Sequence, residues 1–152
     1  MTSEQDPIAK QGPLAGVRVV DLTSMISGPV ATMMLADQGA DVIKVEALEG
    51  DLVRGAGATR RGITSTFISS NRSKRALAVN LKTPEGVEVL KKLLQTADVM
   101  VQNFRPGAIE RMGFGEDIVR GLKEDIIFVS ISGFGDAGPY AHQRVYDPVI
   151  QA

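Results

Sequence analysis

The stretch of residues 16–46 constrains the fold more than any other, because it holds a complete β-α-β pattern. Residues 17–22 form a short, apolar and β-branched run, which predicts a buried strand. Pro29 fits the first position of a following helix, since its fixed φ suits that position and its missing N–H is not needed there. Gly39 is expected to end the helix, and residues 42–46 predict a second strand. Two strands joined in this way lie parallel, with a right-handed crossover.

The helix of this unit has apolar side chains at Ala31, Met34 and Leu35, so this face is expected to pack on the sheet. Ligands of parallel sheets bind at the carboxyl ends of the strands. Functional side chains are therefore expected at residues 23–28 and at Glu46.

The remainder of the chain alternates between strand and helix patterns, which favours an α/β fold with a mostly parallel sheet of about five strands and flanking helices. Further strands are predicted at residues 76–81, 99–101 and 126–131. Helices are predicted from the Thr83-Pro84 start, after Arg105-Pro106-Gly107, and over residues 116–122.

Three segments show no clear helix or strand pattern. Residues 1–13 are polar and lack periodicity, so they are expected to be a disordered tail. Residues 47–62 predict a long loop rich in glycine and arginine. Residues 66–68 suit a short helix or a short strand equally well.

Composition excludes several classes of function. The net charge of −1 provides no global positive field for nucleic acid. The absence of cysteine excludes disulfides and thiolate metal sites, and one histidine cannot build a histidine zinc site. No apolar run reaches the length of a membrane span, and the N-terminus is too polar for a signal peptide. We therefore expect a cytoplasmic protein without a metal, a nucleic-acid partner or a membrane association.

The turn after the first strand does not carry a nucleotide-binding motif. The G-x-G-x-x-G pattern is absent, since only Gly28 lies in the turn and Pro29 removes an N–H group that could hold a pyrophosphate. The G-x-x-x-x-G-K-[ST] motif of phosphate-loop enzymes is absent as well. Without these motifs, the sequence does not favour a classical dinucleotide-binding enzyme, and it excludes a phosphate-loop enzyme.

Polar and aromatic residues at the predicted strand ends are more informative. The parallel topology gathers them at one edge of the sheet; they are Thr23, Ser24, Glu46, Lys82, Asn103, Phe104, Ser132, Gly133 and Gly135. Such a set suits a ligand with phosphates and a flat base. Strand ends are polar in every α/β protein, however, so spacing alone supports a ligand site and an ordinary polar edge equally.

Ordered sequence blocks cover nearly everything from Pro13 to Ala152. They are residues 13–23 with Gly28-Pro29, residues 35–46, Gly50-Asp51 with Arg54, residues 71–75, 80–86 and 98–107, and residues 132–135 with 138–140. Together these blocks strongly resemble the class III CoA-transferase family, which includes formyl-CoA and carnitine CoA-transferases.

The resemblance implies a Rossmann-like domain over residues 14–152 that binds coenzyme A (CoA) and is part of a larger, interlocked-dimer fold. CoA contacts of the family fall at positions that match Met25, Ile26, Ser27, Val79, Leu81, Lys82, Asn103, Phe104, Arg111 and Arg144. Leu81 and Phe104 are expected to pack on the adenine or pantetheine, and the cations to pair with phosphates.

One family position departs from the pattern. Family members often carry an arginine where Ala47 stands, so the corresponding phosphate contact is either lost or supplied by Arg54 or Arg60.

The family reaction, as the resemblance implies it, moves CoA from one carboxylic acid to another within a homodimer. An aspartate carboxylate attacks the acyl-CoA thioester, and an aspartyl-CoA thioester forms by way of an anhydride. The nucleophile is expected beyond Ala152, so this chain alone is expected to be inactive, with Asp147 in an auxiliary role. Asp21, in mid-strand, and Asp37, on a helix, are expected to be structural, and Asp51 is not assigned to catalysis either.

Two alternatives stay open. The related α-methylacyl-CoA racemases carry a histidine where Tyr146 stands, and the one histidine here, His142, lies four residues earlier, which favours a transferase. A non-catalytic CoA-binding module, or one subunit of a split enzyme, shares every motif named above.

Overall fold

The computed structural model describes residues 11–143 and residue 145, and its centre is a parallel sheet. The strands are β1 (Arg18–Asp21), β2 (Asp41–Glu46), β3 (Thr59–Arg60), β4 (Ile63–Thr64), β5 (Arg75–Ala78), β6 (Val99–Gln102) and β7 (Ile127–Ser130). Five of them form one sheet in the order β5-β2-β1-β6-β7, in which every neighbouring pair is parallel. The prediction of an α/β fold with a mostly parallel sheet is confirmed.

Helices connect these strands. They are α1 (Ser27–Asp37), α2 (Ser65–Asn71), α3 (Pro84–Leu94), α4 (Ala108–Arg111) and α5 (Glu116–Leu122). The predicted start of α3 is confirmed, since the hydroxyl of Thr83 accepts a hydrogen bond from the N–H of Gly86. Gly39 follows α1 with a φ of 100°, a left-handed conformation that suits glycine.

Apolar side chains pack on both faces of the central strand β1. Val20 lies in one cluster with Leu90 of α3 and Val119 of α5. Val19, the neighbouring residue, lies in a second cluster with Ala36 of α1. Because successive strand residues point to opposite faces, helices α1 and α3 cover opposite sides of the sheet. The result is a three-layer arrangement whose strand ends stay accessible at the edge.

The predicted buried face of α1 is only partly correct, because Leu35 packs against the second cluster whereas Ala31 and Met34 are exposed. The residues that this helix buries are Gly28, Pro29, Thr32, Met33 and Ala36, whereas Met34 is 54% exposed. The helix also starts at Ser27 rather than at Pro29. Apolar residues occur on several sides of α1, so their spacing did not single out one face. Thr32 decides the orientation, because its hydroxyl donates to the buried carboxylate of Asp21 at 2.7 Å.

The segment after β2 is more structured than the predicted loop over residues 47–62. A 3₁₀ helix, Leu52–Arg54, follows Asp51, whose carboxylate accepts the N–H of Val53. Strands β3 and β4 form an antiparallel hairpin, and residues 66–68, left undecided above, belong to α2. These elements are short and rest on local turn and cap hydrogen bonds, which apolar periodicity does not report.

Strand lengths differ from the predictions at the sheet edges. Strand β5 ends at Ala78, so the following residues 79–82 are free to line the space beyond it. Strand β7 is an edge strand, and Ile127 is 59% exposed although its segment is strongly apolar.

Two expectations concern the chain ends and the membrane. Of the predicted tail, residues 1–10 lie outside the described residues, and the backbone of Gln11 lies close to Gly39. Over residues 11–143, no helix is long and apolar enough to cross a membrane.

Candidate functional site

A groove opens beyond the carboxyl ends of the strands on both sides of β1. The chain runs from β1 outward through β2 to β5 and then returns to β6 on the other side of β1. Parallel sheets bind ligands at such a point of reversal. The groove has a volume of about 470 Å³, and its walls are residues 22–24, 44–52 and 79–82 with Phe104 and Met112.

Four of the residues predicted from the resemblance line this groove. They are Val79, Leu81, Lys82 and Phe104. Val79 is buried, Leu81 and Phe104 are half-buried, and Lys82 is exposed at the rim. The structure thus combines an apolar surface with a solvated cation, which suits a ligand with an apolar part and an anionic part.

The other predicted residues lie around the groove or outside the described residues. Met25, Ile26 and Ser27 are exposed between β1 and the first turn of α1, next to Ser24 in the groove wall. Arg111 is exposed at the end of α4. Arg144 and Asp147, together with Tyr146, fall outside the described residues.

Asn103 uses its side-chain amide on the backbone of the neighbouring loop. Its Oδ1 accepts the N–H of Ser24 at 2.9 Å, and its Nδ2 donates to the carbonyl of Ser24 at 2.8 Å. The pair of hydrogen bonds joins the ends of β6 and β1 across the point of reversal. Asn103 therefore holds the loop after β1 in place.

A buried ion pair that no sequence pattern indicated lies at the base of the groove. The side chains of Lys44 and Asp51 are 2% and 1% exposed, and their charged atoms are 3.1 Å apart. Lys44 Nζ also donates to the carbonyl of Thr23 at 2.8 Å, and Asp51 Oδ1 accepts the N–H of Met25 at 3.2 Å. The only trace in the sequence is a lysine within the apolar run of β2.

A second ion pair joins the last residue of β2 to the 3₁₀ helix that follows it. Arg54 donates to both carboxylate oxygens of Glu46, each at 2.8 Å, and its guanidinium lies 3.8 Å from the centre of the Phe67 ring. Two of the five N–H donors of Arg54 are thus used by Glu46. That Arg54 or Arg60 supplies the phosphate contact of the family arginine stays a prediction.

Burial by itself would raise the pKa of Glu46. The hydrogen bonds from Arg54 and from the N–H of Asp51, with the charges of Arg54 and Lys44, outweigh burial and hold that pKa below its ordinary value of 4.5. The folded state therefore favours the ionised carboxylate. Its stabilisation is complete above pH 4.5 and is lost as the pH falls through the lowered pKa.

Glu46→Gln is expected to weaken the dependence of the melting temperature on pH at acid pH. The melting temperature of the unmodified protein should fall as the pH drops below 4.5, and the melting temperature of the variant should fall less over the same pH range. At pH 7 the variant should melt roughly 2–4 °C lower, as for a loss of about 1 kcal/mol. Thermal unfolding followed by circular dichroism from pH 7 downward measures both. Glu49→Gln, at an exposed glutamate of the same segment, is the control; equal profiles for both variants would contradict the role of Glu46.

A third buried network lies below the loop, around Asp21. This residue ends β1 rather than lying in mid-strand, and it is fully buried. Its carboxylate accepts the N–H of Thr23 at 2.9 Å, the hydroxyl of Thr32 at 2.7 Å and Lys74 Nζ at 2.9 Å. Burial, opposed by the charge of Asp21, lowers the pKa of Lys74. The predicted structural role of Asp21 fits these contacts.

A smaller cavity of about 160 Å³ lies on the other side of Phe104, at the ends of β6 and β7. Gln102 and Ser130 form part of its wall and are joined by a hydrogen bond of 2.9 Å. Within the described part of the chain, no group of three or more histidine, cysteine or acidic side chains is arranged to hold a metal ion.

Comparison with known proteins decides the family. The sequence model that describes CoA-transferase family III matches residues 14–152 of this chain. The chain belongs to CoA-transferase family III. The resemblance stated above is confirmed.

Named relatives of this family III CoA-transferase chain act on different acids. This chain is 46% identical over 140 residues to the formyl-CoA:oxalate CoA-transferase of Streptomyces avermitilis, and the match covers 91% of this chain and 34% of the relative. It is 44% identical over 142 residues to the succinyl-CoA:glutarate CoA-transferase of Mus musculus, covering 92% and 33%. The chain therefore spans about a third of the length of these relatives.

Solved structures agree with the fold of the family III chain. A CAIB/BAIF family protein from Brucella suis superposes with a TM-score of 0.87 at 38% identity, over 92% of this chain and 38% of that one. A protein from Mycobacterium tuberculosis superposes with a TM-score of 0.85 at 35% identity, over 92% and 40%. The described fold is thus part of a larger family fold.

Proposed function

We propose that this chain forms the CoA-binding part of an enzyme that transfers CoA between carboxylic acids. The observation that carries the proposal is the groove at the strand ends, whose apolar wall and rim cation suit CoA. The names of the relatives, which pair an acyl-CoA with a free dicarboxylic acid, support the same reaction class and favour a transferase over a racemase.

The groove offers separate contacts for the parts of CoA. Leu81, Phe104 and Val79 present apolar surface for the adenine or the pantetheine arm. Lys82 presents an exposed ammonium for a phosphate, and we propose the same role for Arg111 and Arg144. Met25, Ile26 and Ser27 are proposed to contact CoA from the loop before α1.

We propose that the nucleophile is an aspartate beyond Ala152. The buried carboxylates of the groove wall, Glu46 and Asp51, are held in ion pairs, and Glu49 is exposed to water. In the proposed step, the aspartate oxygen bonds to the thioester carbon and the C–S bond breaks, which releases the CoA thiolate. The thiolate then attacks the aspartyl carbonyl of the anhydride, which gives aspartyl-CoA and frees the first acid.

We further propose that the enzyme is a homodimer, that it lies in the cytoplasm, and that residues 1–152 alone are inactive. Acyl transfer from succinyl-CoA to a panel of dicarboxylic acids tests the activity. Transfer by residues 1–152 alone would overturn the proposed place of the nucleophile, whereas CoA binding without transfer by any longer form would favour a binding module.

Lys82→Ala is expected to weaken CoA binding about tenfold, because a charge-assisted contact with a phosphate is lost. The difference from the unmodified protein should shrink at raised salt, since ions screen an exposed charge. Isothermal titration calorimetry with CoA measures both effects. Lys92→Ala, in the last turn of α3, removes the same charge away from the groove and should leave affinity unchanged. Equal affinities for the two variants would contradict a phosphate contact at Lys82.

A further inference from the structure

We propose that Lys44, Asp51 and Asn103 are positioning residues that hold the loop after β1 in its CoA-binding conformation. The inference rests on the proposed function. It assigns to these side chains an action on the loop backbone, and for Asn103 this replaces the direct contact with CoA that the family resemblance implies.

The side chains reach the loop from both neighbouring strands. From the β2 side, Lys44 Nζ binds the carbonyl of Thr23 and Asp51 Oδ1 binds the N–H of Met25. From the β6 side, the amide of Asn103 binds both the N–H and the carbonyl of Ser24. Consecutive backbone groups from Thr23 to Met25 are thus fixed by side chains that are distant in the sequence.

The loop needs such support because its own conformation is unfavourable. Met25 has a φ of 68°. This lies in the left-handed region, which residues other than glycine, asparagine and aspartate rarely adopt. The side chains of Met25 and Ile26 are 39% and 54% exposed, so burial does not hold them. Ile26, which precedes α1, makes no side-chain capping hydrogen bond. Thr23 is anchored by its buried hydroxyl, which donates to Asp21, whereas Ser24 and Met25 are held through their backbone groups.

The β2 side of this support is rigid. Lys44 and Asp51 are almost fully buried, and Asp51 also accepts the N–H of Val53 at the start of the 3₁₀ helix. The same carboxylate therefore orients the loop before α1 and the wall of the groove after β2. The loop that carries the proposed CoA contacts Met25, Ile26 and Ser27 is thereby held at a fixed distance from the groove wall.

Asn103→Ala is the first test, since Asn103 is partly exposed and its loss leaves no buried charge. We expect CoA affinity to fall about tenfold while the melting temperature changes by less than about 3 °C. Gln38→Ala is the matched control, because Gln38 also donates its amide to a backbone carbonyl but lies at the far end of α1. Calorimetric titration with CoA and thermal unfolding give both quantities.

A double-variant cycle separates positioning from direct contact. Met25→Asn places a residue that tolerates a positive φ at the strained position, so the loop should keep its shape better without Asn103. The loss of affinity caused by Asn103→Ala should therefore be several-fold smaller in the Met25→Asn background. A direct contact between Asn103 and CoA would give the same loss in both backgrounds and would overturn the inference.

The remaining outcomes are distinct. An unmodified protein that binds CoA, with Asn103→Ala binding equally well, overturns the positioning role and leaves the proposed function standing. An unmodified protein that does not bind CoA overturns the proposed function, and the inference with it.

Discussion

Lys74→Met is expected to lower the free energy of unfolding by about 3–5 kcal/mol, the cost of leaving a buried charge without its partner. The side chains of Lys74 and Asp21 are 1% and 0% exposed. Lys74 Nζ donates to Asp21 Oδ2 at 2.9 Å, to the carbonyl of Pro29 at 2.8 Å and to Asn71 Oδ1 at 2.9 Å. Such a loss is a large share of the 5–15 kcal/mol that typically stabilises a domain.

Urea unfolding measures this loss, and two further variants locate its cause. The side chains of Arg72 and Asp37 form an ion pair and are 52% and 34% exposed. Arg72→Met removes this pair and should lower the free energy of unfolding by about 0–1 kcal/mol. Adding Asp21→Asn to Lys74→Met removes the orphaned charge and should restore part of the stability. A double variant as unstable as Lys74→Met alone would show that the charge is not the cause.

Gly86→Ala is expected to destabilise the protein by about 1–3 kcal/mol, the usual range for overpacking. Alanine normally stabilises a helix relative to glycine by about 0.5–1 kcal/mol. At Gly86, however, the added Cβ would lie 2.0 Å from the carbonyl oxygen of Asn80. Helix α3 must then move away from the strand end that forms part of the groove. CoA affinity is expected to fall together with stability.

Gly121→Ala provides the control for this change. Gly121 lies in α5, and an added Cβ there meets nothing within 4 Å. This variant should therefore gain about 0.5–1 kcal/mol from helix propensity alone. Urea unfolding of both variants, with CoA titration, gives the comparison. Stabilisation by Gly86→Ala would show that the close approach of α3 is absent.

The sequence alone determined the features that depend on neighbours in the chain. The β-α-β unit, the Thr83 cap of α3 and the alternation of strands and helices follow from periodicity and cap chemistry within short windows. The parallel order of the strands then placed Lys82 and Phe104 near one edge, whereas Val79 and Leu81 were named from the family resemblance. For this reason part of the candidate groove could be predicted before any coordinates were known.

Only the tertiary structure decided which face of α1 is buried and what the charged residues do. Thr32 turns α1 because it reaches Asp21 on β1, and Lys44 is buried because it pairs with Asp51 beyond its own strand. Asn103 likewise acts on Ser24, which is far away in the sequence. The free energy of a buried polar group depends on whether a partner reaches it, and the partners here come from other elements. A pattern within one segment cannot contain that information, so the fold had to bring the partners together first.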